Sequence, residues 1–459
     1  MERNEKQLET AALKAERGRG ENSSRPLDFL DRLSHCAEQL REDTRMKMPE
    51  QGRPWSEIQA EMRDRGAKDA RWRDGRTAVY VFNAGEEIAA IQKEAYAAFM
   101  SENGLGPLAF PSLAQMEKDV ISMGLGLLHG PEGATGAMTS GGTDSITMAI
   151  KTARDYARSA GRAQARANIV LPQSAHLAFD KAAHLMDIEV RRVALKDNGS
   201  YEADPVAMGA ACDPDTIMMV GSAPNFPHGI IDPIEALGEV AAAKQVWLHV
   251  DACVGGFFAP FARMNGVPVP AFDFEVPAVH SMSADLHKYG YAAKGASTVL
   301  FRSEALFEHM PFDMNQWSGA PMKTPTLAGT RPGGAISAAW AVMTHLGIEG
   351  YKRLQGQVCA TRERVEEGVK RLGFEVLGNP MLGLIAFRHP NHHAFAIYGE
   401  IYRRGWFTSV TKEPPSLHLM LSPKHADFID EYLSDLEASL RAVETAADAE
   451  KLKVEARYS

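Results

Sequence analysis

Paired cysteines, long hydrophobic runs and an excess of positive charge are all missing from this 459-residue sequence. The lack of any CxxC pair argues against a disulfide framework or a zinc site and fits a reducing compartment. No stretch approaches the roughly 18 consecutive apolar residues of a membrane span. With 50 basic and 59 acidic residues, the chain offers no basic field for nucleic acid. The four cysteines lie far apart, at Cys36, Cys212, Cys253 and Cys359.

The amino terminus is charged throughout. Its first twenty residues contain no apolar core like that of a secretory signal, so we expect a cytoplasmic protein. Residues 1–78 are polar and rich in arginine and glutamate, with helical patterns near 24–45 and 55–65. We interpret residues 1–78 as a helical extension that packs on another surface.

Strand-like and helix-like patterns alternate from residue 79 to about 322. This alternation predicts an α/β domain in which helices cover both faces of a mainly parallel sheet. From 323 to 459, long helical patterns surround two strand-like stretches, which predicts a smaller α+β domain. The apolar runs of the larger domain are 168–172, 189–195, 216–224, 246–252, 278–284 and 297–302.

Three polar features follow predicted strands, where open α/β sheets bind ligands. The first is the TSGGTDS stretch at 139–145, before a helix that begins near Thr143. Its paired glycines allow close approach of the backbone, and the unpaired N–H groups of a helix N-terminus attract anions. Taken alone, the pattern also fits a capped helix start without a ligand.

The second feature is Asp251, which follows an apolar run and precedes small residues and two glycines. A buried carboxylate at this position needs a partner. A catalytic metal would serve, although no second carboxylate or histidine cluster lies at ligand spacing. A cationic ring nitrogen would also serve, and a helix cap or buried ion pair is the structural alternative.

The third feature is SADLHKYGYAAKG at 283–295, which places Lys288 at the tip of a strand and Lys294 six residues later. A lysine between apolar walls has a lowered amine pKa, which suits a Schiff base. A solvated loop lysine is the commoner alternative for any single lysine.

Together, the three features specify pyridoxal 5'-phosphate (PLP). The helix N-terminus suits its phosphate, the carboxylate keeps the pyridine nitrogen protonated, and the lysine forms the Schiff base. His176 follows another predicted strand at the same edge of the sheet, where it is placed to stack on the ring. A lone histidine is more often structural, and its position at this edge favours the functional role.

At these residues the sequence resembles the sphingosine-1-phosphate lyase branch of the group II PLP-dependent decarboxylase family. HVDA and HKYG alone indicate the wider family, whereas SADLHKYGYAAKG with AGTRPGG indicates the lyase branch. The matching stretches run in the family's order from about 79 to 350. They are MTSGGTDSI, LPQSAHLAFDKAA, APNFPHGIIDP, LHVDACVGGF, FDFEVPAVHSMSADLHKYGYAAKG and TPTLAGTRPGG.

The resemblance implies the fold type I architecture and a homodimer whose active sites are built from both subunits. The N-terminal extension would then wrap the partner subunit. Lys288 is implied as the Schiff-base lysine, Asp251 as the partner of the pyridine nitrogen and His176 as the residue stacked over the ring. Eukaryotic members carry a membrane anchor that this sequence lacks, so it resembles a soluble, bacterial-type form.

The resemblance also implies how the cofactor phosphate is held. Gly142, Thr143 and His287 would bind it. Thr330 of the neighbouring subunit would assist, at a position where the family usually has serine. This exchange keeps the hydroxyl group.

A second phosphate, that of the substrate, would face Lys294 together with Tyr80 from the partner chain. The substrate-binding stretch SENGLGPLAFPS retains Asn103, but Gly106 stands where the family has a histidine. Losing one hydrogen-bonding partner of a phosphate costs about 1.5–3 kcal/mol. The cofactor chemistry is therefore better supported than the substrate.

The resemblance implies carbon–carbon lysis of a phosphorylated amino alcohol. Sphingosine 1-phosphate would give a long-chain aldehyde and phosphoethanolamine. Two alternatives remain open: a PLP-dependent amino-acid α-decarboxylase, and a PLP-binding protein without turnover. Release of an aldehyde would indicate the lyase, and release of carbon dioxide would indicate the decarboxylase. A yellow protein without turnover would indicate the PLP-binding protein.

Overall fold

The computed structural model describes residues 46–162 and 166–445. The chain divides into two compact units, Met1–Ala67 and Lys68–Ser459. The described part of the first unit contains helix α1, Trp55–Gly66, which confirms the helix predicted near 55–65. The helix predicted near 24–45 lies outside the described residues.

A seven-stranded sheet forms the centre of the second unit, in the order β1-β7-β6-β5-β4-β2-β3. Strands β2 to β6 pair with one another in parallel, whereas β7 is antiparallel to both β6 and β1. The predicted α/β class is therefore confirmed. The strands are β1 Thr135–Thr139, β2 Asn168–Pro172, β3 Glu189–Val193, β4 Thr216–Ser222, β5 Trp247–Asp251, β6 Val279–Ala284 and β7 Ser297–Phe301.

Hydrophobic cores lie on both faces of this sheet, because successive side chains of a strand point to opposite faces. On β2, Ile169 and Leu171 belong to one core and Val170 to the other. Helices cover both faces. The helices of the second unit are α2 Glu86–Ala98, α3 Pro111–Leu127, α4 Gly142–Ser159, α5 Ala178–Leu185, α6 Pro205–Ala211, α7 Ile234–Lys244, α8 Ala259–Met264, α9 Glu304–Phe307, α10 Gly333–Arg371, α11 Ala394–Arg403 and α12 Ile429–Thr445.

Helix α10 consists of two segments that meet at Gly347, whose φ of 52° is not helical. Two helices were expected here, near 334–346 and 351–372, and the break lies between them. Glycine suits this position because it adopts positive φ without steric cost. Helix α12 begins later than the expected residue 424, because Pro423–Asp427 forms a 3-10 turn with a capping box at Ser422.

Two smaller sheets follow the large one. An antiparallel four-stranded sheet has the order β10-β11-β13-β12, and β8 pairs with β9 in a hairpin. The expected domain limits at residues 78 and 322 remain predictions. The strands are β8 Phe312–Met314, β9 Met322–Thr324, β10 Glu375–Val376, β11 Leu384–Arg388, β12 Ser409–Lys412 and β13 Pro415–Met420.

None of the helices in the described residues has both the length and the apolar character that a bilayer crossing requires.

Candidate active site

Helix α4 begins directly after strand β1 and presents its N-terminus at the edge of the large sheet. Gly141 precedes the helix and provides no side-chain cap. The first helical bond runs from Ser145 N to Gly141 O, at 3.0 Å. The N–H groups of the first turn therefore have no partner within the helix, and they form a binding site for an anion such as phosphate. This is the geometry expected for residues 139–145.

Gly142 is required by the close packing at this helix start. A Cβ atom on Gly142 would lie 2.8 Å from Cys253 Sγ and 2.9 Å from Asp285 Oδ2. His287 lies on the same side, since its Cε1 is 3.5 Å from the corresponding Cβ position of Gly141. The buried Nδ1 of His287 has no hydrogen-bond partner among the described residues. A phosphate at the helix start would supply one.

Lys288 is half-buried and lies against the buried carboxylate of Asp285. The distance from Lys288 Nζ to Asp285 Oδ2 is 2.9 Å. Burial acts to lower the pKa of Lys288, but the negative charge of Asp285 outweighs it and the pKa is raised. The lowered pKa expected from apolar walls is therefore wrong, and Asp285 is the physical reason. Burial likewise acts to raise the pKa of Asp285, but the charge of Lys288 holds it below its ordinary value.

Asp251 ends strand β5 and is almost completely buried. Its Oδ1 accepts hydrogen bonds from Cys253 N at 3.1 Å and from Ser283 Oγ at 3.3 Å. Among the described residues, the His, Cys, Asp and Glu groups spaced for a metal do not include Asp251. A cationic ring nitrogen is therefore the partner that this carboxylate suits best.

His176 lies in the loop after strand β2. Its Nδ1 accepts a hydrogen bond from Ala178 N at 3.1 Å, and burial lowers its pKa, so the neutral imidazole carries its proton on Nε2. Arg192 of strand β3 fixes this loop by donating to Ala175 O at 3.1 Å and Gln173 O at 2.9 Å. Sequence reasoning did not identify Arg192.

Lys294 is held by backbone carbonyl groups. Its Nζ donates to Tyr80 O at 2.9 Å and His287 O at 3.3 Å, and it lies 5.2 Å from the ring centroid of Phe82. Burial, followed by the positive charge of Lys288, lowers the pKa of Lys294 to about 8. The contacting Tyr80 belongs to the same chain. A role for Tyr80 in the partner's site remains a prediction.

The predicted substrate loop and the segment of Thr330 lie side by side. Asn103 Oδ1 accepts from Leu105 N at 3.1 Å, and Gly104 N donates to Arg331 O at 2.9 Å. Thr330 is exposed. The roles expected of Asn103 and Thr330 remain predictions, because the contacts described here involve one chain only.

The residues of this site suit PLP on structural grounds. An unpaired helix N-terminus suits its phosphate, the half-buried amine of Lys288 suits its aldehyde, and Asp251 suits its ring nitrogen. The charges of Asp251 and Lys288 both act on the pKa of His176, which places His176 in the same site. Asp285 was missed in the sequence, although an acidic residue three positions before Lys288 was its signal.

Comparisons with known proteins agree with this arrangement. The profile of the pyridoxal-dependent decarboxylase conserved domain matches residues 37–390. A sphingosine-1-phosphate lyase of Oryza sativa subsp. japonica is 40% identical over 386 residues, which cover 82% of this chain and 71% of the relative. A probable L-tyrosine/L-aspartate decarboxylase of Methanothermobacter thermautotrophicus is 32% identical over 348 residues, covering 76% of this chain and 93% of the relative.

Among solved structures, the sphingosine-1-phosphate lyase of Burkholderia pseudomallei K96243 superposes with a TM-score of 0.83 at 35% identity. The match covers 86% of this chain and 92% of that chain. The family profile spans well over half of the sequence, and the site has the groups that the cofactor requires. The chain therefore belongs to the pyridoxal-dependent decarboxylase family, and its cofactor is PLP.

Proposed function

We propose that this protein is a PLP-dependent lyase that cleaves the Cα–Cβ bond of a phosphorylated sphingoid base. Sphingosine 1-phosphate is the substrate that the lyase relatives suggest. The products are a long-chain aldehyde and phosphoethanolamine. The observation that carries this choice of substrate is the second amine of this loop, that of Lys294, which is exposed on the single chain.

Lys294 suits an anionic head group because no carboxylate of the described residues neutralises its positive charge in an ion pair. Its Nζ donates hydrogen bonds to the carbonyl oxygens of Tyr80 and His287. Among the residues that the structure describes, it forms no ion pair with a carboxylate, whereas Lys288 pairs with Asp285. A phosphate would therefore gain a charge-assisted hydrogen bond from Lys294 without displacing a carboxylate.

The cofactor cradle in this proposal uses the first turn of α4 at Gly142 and Thr143, together with His287. Asp251 would stabilise positive charge on the pyridine nitrogen of the bound cofactor, and His176 would cover the face of its ring. Bound PLP supplies the electron sink that accepts the bonding electrons of the broken Cα–Cβ bond.

The proton movements follow from the same geometry. A base removes the proton of the β-hydroxyl group, and the Cβ carbon leaves as the aldehyde. Lys288, once it no longer holds the cofactor, is kept protonated by Asp285 and delivers a proton to Cα. The two-carbon fragment then leaves as phosphoethanolamine.

A homodimer completes the proposal. Thr330 contributes its hydroxyl to the cofactor phosphate of the partner subunit, and Tyr80 and Asn103 contribute to substrate binding. Thr330 and Tyr80 have exposed surface, which a partner can reach. A cytoplasmic location remains a prediction from the sequence.

The decisive experiment adds sphingosine 1-phosphate to the purified, PLP-loaded protein and measures the released aldehyde by mass spectrometry. We expect stoichiometric aldehyde and phosphoethanolamine. Sphingosine without its phosphate should react much more slowly, because it lacks the group that Lys294 binds. No aldehyde release, together with an unperturbed cofactor absorbance, would reject the proposal.

Amino-acid α-decarboxylation is the second candidate. The family profile and the decarboxylase relative at 32% identity favour it, and Gly106 leaves space for a different substrate head group. A panel of amino acids, with carbon dioxide as the measured product, tests this alternative on the same protein preparation.

A further inference from the structure

A buried chain of hydrogen bonds runs between strands β5 and β6 and ends on Asp251. The two strands are parallel neighbours, and their register pairs His249 with Ser281 and Asp251 with Ser283. Alternate residues of β5 therefore face the two serines of β6. All of these side chains are buried.

The contacts in this chain follow one another without interruption. Trp247 Nε1 donates to Ser281 Oγ at 2.8 Å, and His249 Nδ1 lies 2.8 Å from the same oxygen. His249 Nε2 lies 3.3 Å from Ser283 Oγ, which lies 3.3 Å from Asp251 Oδ1. The chain thus consists of five side chains and runs from the indole of Trp247 to the carboxylate of Asp251.

The chemistry of the two ends fixes the direction of every bond. An indole N–H is a donor only, and an ionised carboxylate is an acceptor only. Ser281 therefore accepts from Trp247 and gives its own proton to His249 Nδ1. His249 then carries its proton on Nε2 and donates it to Ser283, and Ser283 donates to Asp251. If the bonds ran in the opposite direction, the hydroxyl proton of Ser281 would have no acceptor among these groups. Asp251 would also lose its hydrogen bond from Ser283.

We infer that Trp247, Ser281, His249 and Ser283 form a one-way relay of hydrogen bonds that aims the carboxylate of Asp251 at the cofactor's ring nitrogen. They are positioning residues, because they act on the cofactor through Asp251. Burial lowers the pKa of His249 to about 4, so the imidazole stays neutral at ordinary pH. Cys253 Sγ also lies 3.3 Å from Ser283 Oγ. The hydroxyl of Ser283 therefore accepts from Cys253 and His249 and donates to Asp251.

The first test measures the tautomer of His249 in the cofactor-free, full-length protein. Selective 15N labelling of histidine reports which ring nitrogen is protonated, and the His249→Gln variant identifies the signal. We expect the proton on Nε2, unchanged between pH 5.5 and 9. A proton on Nδ1, or titration within that range, would overturn the relay.

The second test measures PLP affinity by titrating the cofactor-free protein with PLP. Ser283→Ala should weaken binding about tenfold, since it removes a hydrogen bond to a charged group, and Ser281→Ala should weaken it about threefold. In a relay, Ser281→Ala acts through Ser283 and has no further effect in the Ser283→Ala background. Multiplying effects in the double variant would contradict the inference.

Ser439→Ala is the matched control, because it removes a buried serine hydroxyl that donates to Asp435 O at 2.7 Å in helix α12. Its PLP affinity should equal that of the wild type. An equal loss in Ser439→Ala and Ser283→Ala would assign the effect to general destabilisation and reject the relay. The inference rests on PLP binding and not on the proposed substrate, so failure of the lyase assay leaves both tests valid.

Discussion

Lys288 and Lys294 lie on one loop but have opposite electrostatic surroundings. Lys288 lies 2.9 Å from a buried carboxylate, and its pKa is raised. Lys294 is more exposed and contacts two carbonyl oxygens, and desolvation lowers its pKa to about 8. Desolvation acts to lower the pKa of both amines, and the direct ion pair with Asp285, which Lys288 alone of the two forms, decides the difference.

This difference suits two different tasks. An amine held beside a carboxylate keeps a proton and a fixed position near the cofactor. An amine surrounded by carbonyl dipoles can accept an anionic ligand without first breaking an ion pair. Single substitutions can change one of these lysines, or a residue of its surroundings, at a time.

Replacing Lys288 by alanine should have the largest effect. Turnover should fall by about a thousandfold or more, as expected when a residue that reacts covalently is lost. The absorbance of covalently bound PLP should disappear from the spectrum. Lys323→Ala is the control, because Lys323 is well exposed, and it should leave both measurements unchanged.

Replacing Asp285 by asparagine removes the feature that distinguishes the two lysines. Breaking a buried ion pair by removing one partner costs about 3–5 kcal/mol, so the cofactor-free protein should lose stability at pH 7 in urea unfolding. The pKa of Asp285 is lowered in the folded state, so its contribution is present above the ordinary carboxyl pKa of about 4 and lost as the pH falls through the folded value.

The stability difference between wild type and Asp285→Asn should therefore shrink when the pH is lowered below about 4. Asp313→Asn serves as the control, since Asp313 and its partner Lys323 are both exposed, and surface pairs contribute little. If the stability difference between wild type and Asp285→Asn is the same at pH 7 and at pH 3.5, the role assigned to the carboxylate of Asp285 is contradicted.

Replacing Lys294 by methionine should raise KM for a phosphorylated substrate about tenfold or more, because a charge-assisted hydrogen bond is lost. PLP affinity should change little. Steady-state kinetics and a PLP titration on the same variant separate the two effects. Unchanged KM would remove Lys294 from the substrate site.

Replacing Lys294 by arginine should change the pH dependence. In the wild type, kcat/KM for a phosphorylated substrate should decline as the pH rises through about 8, where Lys294 loses its proton. Arginine stays charged throughout this range, so the decline should move to higher pH. If both proteins show the same alkaline decline, another group is responsible.

Replacing Gly106 by histidine should have the smallest effect. A Cβ atom at this position would lie 3.7 Å from Ala109 Cβ, an ordinary van der Waals distance, so the fold should tolerate the change. We expect KM for the phosphorylated substrate to fall by about tenfold at most. An unchanged KM would show that residue 106 does not contact the substrate.

Much of the large sheet could be predicted because its parallel strands are buried on both faces and appear as short apolar runs. The predicted run 168–172 coincides with β2, and the others contain their strands with one or two extra residues. Strand β1 was missed. Its sequence TGAMT is short and contains glycine, and its position depends on antiparallel pairing with the distant β7.

The candidate site was predictable where one residue carries a recognisable chemical role at a strand end, as with Asp251 and Lys288. It was not predictable where a role depends on contacts between strands. Ser281 and Ser283 are unremarkable in the sequence, and only the register of β5 with β6 aligns them with His249 and Asp251. The pKa direction of Lys288 likewise depended on how the loop turns Asp285 toward it.

The packing around Gly142 affects how readily the thiol of Cys253 can be oxidised. Burial, reinforced by Asp251 and Asp285, raises the pKa of its thiol well above the ordinary value. The thiolate is the form that reacts with peroxides and alkylating reagents, and Cys253 is buried with its sulfur packed closely against Gly142. Among the cysteines that the structure describes, we therefore expect oxidants to reach the partly exposed Cys212 before Cys253.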